Sequence, residues 1–247
     1  MNNLFVVILA AGKGTRMKSD LPKVLFKIGD KTLVEYGVDT AKKLNPENII
    51  VVVGHGKEMV QEILGDKVDY ALQDEQLGTG HALMQTKNIL ADKIGYVLVS
   101  NGDMPFISQD MHMQLYNKCI NEGASAAMMT VETEDYSSWG RIVRDKDGNV
   151  NKIIEAKDAD EDTLKIIEKN TGVYCFKIND LFAALNKIES NNAQQEYYLT
   201  DVIEILESEG KKIIAVITDD YKNIIGINTP DELNRAREII KNGNNKN

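Results

Sequence analysis

An apolar run, Leu4 to Leu9, opens directly into a glycine-bearing stretch, LAAGKGTRMKSDLPKVL, that spans Leu9 to Leu25. A run this short, closed by turn residues, reads as a buried strand, and the stretch after it reads as the loop at the strand's end. Gly12 and Gly14 remove Cβ atoms where a backbone must turn tightly and bring its N–H groups close to a ligand. Lys13, Arg16, Lys18 and Lys23 share this stretch with a single acid, Asp20, in a chain whose formal net charge is −9. Positive charge gathered against an acidic background suits phosphate. Met17 stands where a dinucleotide fingerprint needs its third glycine, and no Gly-Lys-Ser/Thr closes the loop as a P-loop requires. Pro22 bars the long helix with which both of those motifs continue. A glycine-rich turn that holds no ligand satisfies the same spacing.

Downstream, helical and strand patterns alternate. Thr32 to Leu44 carries apolar residues at helical spacing, Ile49 to Val53 is a second buried strand, Lys57 to Leu64 a short helix and Val68 to Leu72 a third strand. This alternation predicts βαβ units and a doubly wound, Rossmann-like α/β fold with a mainly parallel, mixed sheet, whose ligands bind beyond the carboxyl ends of the strands. Gln73 to Ala82 leaves the third strand toward that rim and enters a helix running to about Leu90; amide groups at Gln73 and Gln76 suit the mixed donor and acceptor edge of a nucleobase. A solvated polar loop would read the same way. Tyr96 to Ser100, a fourth strand, ends in Asn101-Gly102-Asp103, where an aspartate can hold Mg²⁺ beside phosphates or merely form a turn. Ser108 caps a helix to about Glu122, and Ala124 to Val131 is another strand. Arg141 to Arg144, a turn at Asp145 to Asn149 and Val150 to Glu155 then predict an antiparallel hairpin excursion. Asp158 to Ile167 reads as a helix, Gly172 to Ile178 as a strand and Asn179 to Ile188 as a helix. A further helix ends near Gly210, Lys211 to Thr218 is a late strand, and Thr229-Pro230-Asp231-Glu232 is a capping box that starts a helix to about Lys241.

The pattern LAAGxGTRM followed by LPKVL resembles the signature of the sugar-1-phosphate nucleotidyltransferases. It is most similar to the uridyltransferase (pyrophosphorylase) domains of the bacterial N-acetylglucosamine-1-phosphate uridyltransferases. QxEQxGTGHA at Gln73 to Ala82 and NAQQEYYLTD at Asn192 to Asp201 match the same pattern, with Gln195 where that family has glycine. The resemblance implies joining of UTP to N-acetylglucosamine 1-phosphate with release of pyrophosphate. It implies Arg16 and Lys23 as catalytic residues, and a nucleotide site at Leu9, Ala10, Ala11, Gly12, Gly14, Gln73, Gln76, Gly78 and Thr79. It assigns the sugar to Asn101, Gly102, Gly140, Glu155, Asn170 and Thr171, and Mg²⁺ to Asp103 and Asn228. Asn101 replaces the tyrosine that some relatives carry, so the preference for N-acetylglucosamine 1-phosphate over glucose 1-phosphate is expected to be modest. The same chemistry on another sugar, alcohol or cofactor phosphate, or with another nucleotide, is the nearest alternative. A catalytically silent nucleotide-sugar binding protein is the alternative of another class.

At 247 residues and 43% hydrophobic content the chain can bury a sizeable core. Residues 1–242 are expected to form the nucleotidyltransferase domain and 243–247 a frayed tail. No hexapeptide repeats of the acetyltransferase β-helix kind are seen. A pI of about 5.0 speaks against nucleic acid as a partner. Cys119 and Cys175 are too isolated for a disulfide framework or zinc site, and the run at Leu4 lacks the basic lead of a signal peptide. No stretch is long enough for a membrane, and a cytoplasmic setting is expected.

Overall fold

The computed structural model describes residues 3–135 and 138–244. β1 (Leu4–Ala10) is the apolar run, and it leads through single 3₁₀ turns at Thr15–Met17 and Lys23–Leu25 to a small hairpin, β2 (Lys27–Ile28) and β3 (Lys31–Thr32). Helix α1 (Leu33–Lys43) starts with a full capping box, in which Thr32 accepts from the Glu35 N–H and the Glu35 carboxylate accepts from the Thr32 N–H. There follow β4 (Asn48–Val53), α2 (Lys57–Leu64), β5 (Asp69–Leu72), α3 (Thr79–Met84), α4 (Lys87–Leu90), β6 (Tyr96–Asn101), α5 (Gln109–Asn121) and β7 (Ala126–Glu132). The remainder is β8 (Arg141–Arg144), β9 (Val150–Ile154), α6 (Glu161–Leu164), β10 (Glu168–Lys177), α7 (Ile178–Leu185), α8 (Asp201–Ser208), β11 (Ile213–Ile217) and α9 (Pro230–Asn244).

Among the described residues nine strands join one sheet, with the order β11-β7-β10-β6-β1-β4-β5 and the β8–β9 hairpin attached through β10. β1 pairs in parallel with β4 and β6, Val7 standing beside Ile50 and Val99, whereas β10 runs antiparallel between β6 and β7. The sheet is therefore mixed, as expected. Alternate residues of β1 face opposite sides. Val6 and Ile8 join the core under α1, α2 and α5, while Phe5 and Val7 join the core under α3, α4, α7 and α8. Burial on both faces explains why the strand reads as an unbroken apolar run. α9 packs on the β2–β3 hairpin around Ile28, Leu33, Ile227 and Leu233.

The structure departs from the sequence reading in three elements, the third being β10, expected from Gly172. The helix expected to run to Leu90 breaks at Gln85 and Thr86, where the buried Thr86 hydroxyl donates back to the Leu83 carbonyl at 2.7 Å and competes with the backbone ladder. The helix expected over Asp158 to Ile167 is a single turn, α6, capped by Asp160. β10 begins at Glu168 because the chain there is claimed by β7: Lys169 pairs with Val131, and Glu168 accepts from the Thr130 hydroxyl and the Arg144 guanidinium. Tertiary pairing overrides a weak local helix preference. Residue 245 onward, most of the expected frayed tail, lies outside the described residues, and α9 continues through 244.

Candidate active site

Beyond the carboxyl end of β1 the backbone turns at Gly14 with φ 61°, and a Cβ there would lie 2.6 Å from the Cβ of Lys23. Glycine thus lets the Lys23 stem pass across the loop. Around Gly12 nothing stands within 4 Å of where a Cβ would be, so its backbone is open to a ligand. The Lys23 ammonium donates to the Asp103 carboxylate and, at 2.7 Å, to Asn228 Oδ1, which also accepts from Arg16 Nη2 at 2.8 Å. Four residues that the sequence scatters over more than two hundred positions therefore meet at one point.

Each is held from behind. Asp103 sits just past β6, its carbonyl accepting from the Ile227 N–H at 2.9 Å, and Gly226 passes so close that a Cβ would stand 3.0 Å from Asp103 Oδ1. The expected capping box of α9 is present: Glu232 accepts from the N–H groups of Asn228 and Thr229, and Thr229 Oγ1 accepts from the Glu232 N–H. Asn228 Nδ2 donates to the Gly226 carbonyl, which turns its oxygen toward Lys23 and Arg16. Asp103 and Asn228 thus aim oxygens at a common cation position, which the Lys23 ammonium occupies. Among the described residues no group of three or more His, Cys, Asp or Glu could hold a metal ion. The donors that are present, one carboxylate and one amide oxygen, fit an ion that binds few protein ligands and completes its shell with phosphate and water, as Mg²⁺ does.

Two cavities open from this point. The first, about 440 Å³, is lined by every residue expected to hold the nucleotide, from Leu9 to Gly12 through Gly14, Gln73, Gln76, Gly78 and Thr79, together with Lys13, Lys23 and Glu196. Gln73 is buried, its amide N–H group reaching the Gly78 carbonyl at 3.0 Å and lying 3.1 Å from His81 Nδ1, while Gln76 donates to the Gln73 carbonyl. The two amides therefore shape the loop with their N–H groups, and their carbonyl oxygens are what they can offer a base. His81 is held between two amides, its Nε2 lying 3.1 Å from the Gln85 side-chain nitrogen. Gly78, with φ 108°, packs under the strap of residues 192–201, where a Cβ would fall 2.6 Å from the Tyr197 carbonyl. The strap is stitched to this loop by Tyr197 N–H to the Leu77 carbonyl, Gly80 N–H to the Tyr197 carbonyl and Leu199 N–H to Thr79 Oγ1.

The second cavity, about 290 Å³, shares Leu9, Thr79, Asn101 and Asp103 with the first and is walled by Gly140, Glu155, Asn170 and Thr171. Its wall depends on an irregularity in β10, whose register against β7 shifts between Asn170 and Tyr174 around Gly172 at φ 80°. Such bulges re-aim side chains beside active sites. A Cβ at Gly172 would stand 2.8 Å from Asn101 Nδ2. Asn170 donates to the buried Tyr174 hydroxyl at 2.6 Å and accepts from the Gly172 N–H. Thr171 donates its hydroxyl to the Met129 carbonyl at 2.8 Å, so that proton is committed within the protein. Glu155 accepts from Thr200 Oγ1 at 3.1 Å, and burial raises its pKa, with Asp158 and Glu196 adding to the rise and the Thr200 hydrogen bond opposing it. Asp201, next in the chain, is pushed up to about 6 by burial and by Glu204, Glu155 and Asp158.

Two expected residues stand off these cavities. Gly102 lies behind the wall, donating its N–H to the Leu9 carbonyl and leaving room for Val24 and Ala10. Arg16 does not line either cavity and reaches the center only through Asn228. Trp139, Leu199, Ile224 and Glu196 line the cavities but were not singled out from the sequence. Leu199 and Glu196 fall in the NAQQEYYLTD segment, which was the available signal.

The profile of the nucleotidyl transferase family matches residues 5–244. The bifunctional protein GlmU of Bacillus cereus (strain G9842) is 47% identical over 246 residues, covering 100% of this chain and 54% of that protein. The bifunctional protein GlmU of Enterococcus faecalis is 44% identical over 240 residues, covering 97% of this chain and 52% of that one. The chain spans about half the length of these relatives. A UDP-glucose pyrophosphorylase solved in complex with UDP-glucose shares the fold, with a TM-score of 0.77 and 18% identity over 98% of this chain and 100% of that one.

Proposed function

Because the chain belongs to the nucleotidyl transferase family, we propose that it joins UTP to N-acetylglucosamine 1-phosphate, giving UDP-N-acetylglucosamine and pyrophosphate. The observation that carries this reading is the meeting of two cavities at Asp103, with the Lys23 ammonium at their junction. A nucleoside triphosphate in the first and a sugar phosphate in the second would bring an α-phosphorus and an attacking phosphate oxygen together there. One new P–O bond forms to the α-phosphorus as its bond to the bridging oxygen of the leaving pyrophosphate breaks. No proton transfer to a protein base is needed, since the attacking oxygen is already anionic. What the reaction asks of the protein is alignment and charge neutralisation.

Lys23 neutralises charge that gathers on the α-phosphate, and Arg16, through Asn228, steadies the same point. Gly12 and Gly14 let backbone N–H groups approach the phosphates. The carbonyl oxygens of Gln73 and Gln76 suit the N–H of uracil, and Glu155 and Asn170 suit sugar hydroxyls. Asp103 and Asn228 would hold Mg²⁺, which when bound supplies positive charge that draws the phosphates together.

Pyrophosphate release with UTP, Mg²⁺ and a panel of sugar phosphates tests the proposal. The highest kcat/KM is expected for N-acetylglucosamine 1-phosphate, exceeding glucose 1-phosphate by roughly 10- to 200-fold, the range that one small apolar group commands. Pyrophosphate release with no member of the panel would defeat the assignment, and a preference for glucose 1-phosphate would defeat the sugar.

A further inference from the structure

One buried hydroxyl, behind Glu155 in the second cavity's wall, has no role in holding its own helix. Thr200 is 4% exposed and stands at the N-cap of α8, where a threonine side chain ordinarily accepts a backbone N–H of the first turn. It makes no such bond, and its backbone is already helical, with φ −61° and ψ −27°. The hydroxyl donates instead to Glu155 Oε1. Among the described residues it is the single hydrogen-bond donor to that side chain, and no Lys or Arg pairs with the carboxylate. The nearest basic residue on β9, Lys152, is turned to Glu204.

We propose that Thr200 is a positioning residue for sugar binding, its hydroxyl fixing one oxygen of Glu155 so that the other faces the sugar hydroxyls. The inference rests on the second cavity being the sugar phosphate site. Glu155 Oε2 lies toward the bare backbone of Gly140, 3.4 Å from where a Cβ would be, on the cavity side. Thr200 can hold its partner because the strap that carries it is anchored at both ends. Tyr197 and Leu199 are bonded to the loop at Leu77 to Gly80, and Asp158 accepts from the Ala193 N–H at 2.8 Å and the Tyr198 hydroxyl at 3.1 Å. The groups acting on Glu155 are otherwise acidic or neutral: Asp158, Glu196, Asp201 and the buried Tyr174. Without the hydroxyl the carboxylate loses its orientation and keeps its proton to higher pH.

Thr200→Val keeps the shape and removes the donor. The KM for N-acetylglucosamine 1-phosphate is expected to rise roughly tenfold, with kcat and the KM for UTP changed by less than about twofold, as for loss of one hydrogen bond to a charged group. The acid limb of kcat/KM for the sugar phosphate should move to higher pH than in the unaltered protein; the phosphate's own ionisation is common to both and cancels. Thr200→Ser should restore both. An unmoved acid limb with an unchanged sugar KM, or equal damage from serine and valine, would overturn the inference. Titration of the Glu155 carboxyl carbon by NMR, assigned with Glu155→Gln, reads the bond without turnover: an upward shift in Thr200→Val supports it and no shift overturns it. An unaltered protein that turns over no sugar phosphate would defeat the proposed function, while the titration still decides this bond.

Discussion

The two cavities share Leu9, Thr79, Asn101 and Asp103, yet they are built in opposite ways. The first is supplied by short contiguous loops at the ends of β1 and β5, with glycines clearing space and Lys13 and Lys23 supplying charge. The second draws on segments far apart in the chain, the residues just before β8 and just after β9, a bulge in β10 and the strap, and it is fixed by polar partners such as Thr200 and Tyr174 in acidic surroundings. Phosphates are alike in every nucleotide, so a few adjacent N–H groups and cations suffice. A sugar differs from its neighbors by the directions of its hydroxyls, and reading directions takes rigid side chains brought from several places.

Lys23→Ala should produce the largest effect, because it strikes the junction itself. A fall in kcat on the order of 10²- to 10³-fold is expected, as for removal of one preorganised charge-stabilising group, with smaller changes in both KM values. Lys18→Asn, which suits the left-handed backbone at that position (φ 52°), serves as the control. Equal effects of the two would reduce Lys23 to one member of a solvated basic face. Asp103→Asn should raise the Mg²⁺ concentration for half-maximal rate on the order of tenfold or more, given that even outer partners of metal ligands command tenfold. An unchanged requirement would remove Asp103 from the metal.

Glu155→Gln tests the division between the cavities more finely. The KM for sugar phosphate should rise roughly tenfold, while that for UTP stays within about twofold, since a hydrogen bond to a charged group is lost on one side only. Matching losses in both would mean the two regions are not separable. The smallest effect on turnover belongs to His112 in α5, outside both cavities. It is 2% exposed, neither ring nitrogen has a hydrogen-bond partner among the described residues, and burial lowers its pKa to about 4 against the opposing Ser108 backbone. As pH falls below the ordinary value near 6.5, the unfolded chain takes a proton that the folded chain refuses. Stability is then lost down to about pH 4, by up to about 3 kcal/mol. Asp201 works in the other direction, since an acid raised to about 6 favours the folded state at low pH and loses that contribution as pH rises to 6. Urea unfolding from pH 7 to 4.5 should show a flatter acid decline in His112→Leu; an unchanged decline would assign it to other groups.

The contrast between the cavities also explains what could be read from sequence. Gly12, Gly14 and Lys23 stand within one short loop after an apolar strand, and Asp103 follows another, so spacing put them at strand ends and the family resemblance supplied their roles. Gly140, Glu155 and Asn170 look like ordinary loop and strand residues until β10 is placed antiparallel beside β8. The start of that strand was hidden because Glu168 to Thr171 is polar and its burial depends on Arg144 and Thr130, remote in the chain. Trp139 gave no signal, since a lone aromatic before glycine fits a core or a wall equally well. Gln195 was seen as a departure from the family's glycine, and its φ of 55° shows why glycine belongs there: the strap turns through a left-handed residue at that point.

β10 has a consequence for how the chain reaches this structure during synthesis. Its partners, β6 and β7, lie earlier in the chain, yet β10 separates them in the sheet. Until residues 168–177 leave the ribosome, both strands carry unpaired edges, and the β7 half has no seam to the β1 half. Those edges are apolar on both faces, the composition that pairs with another chain when left uncovered. The nascent protein therefore passes through a stretch of elongation in which the strand that later builds the wall of the second cavity is also the one that keeps neighboring chains from joining each other.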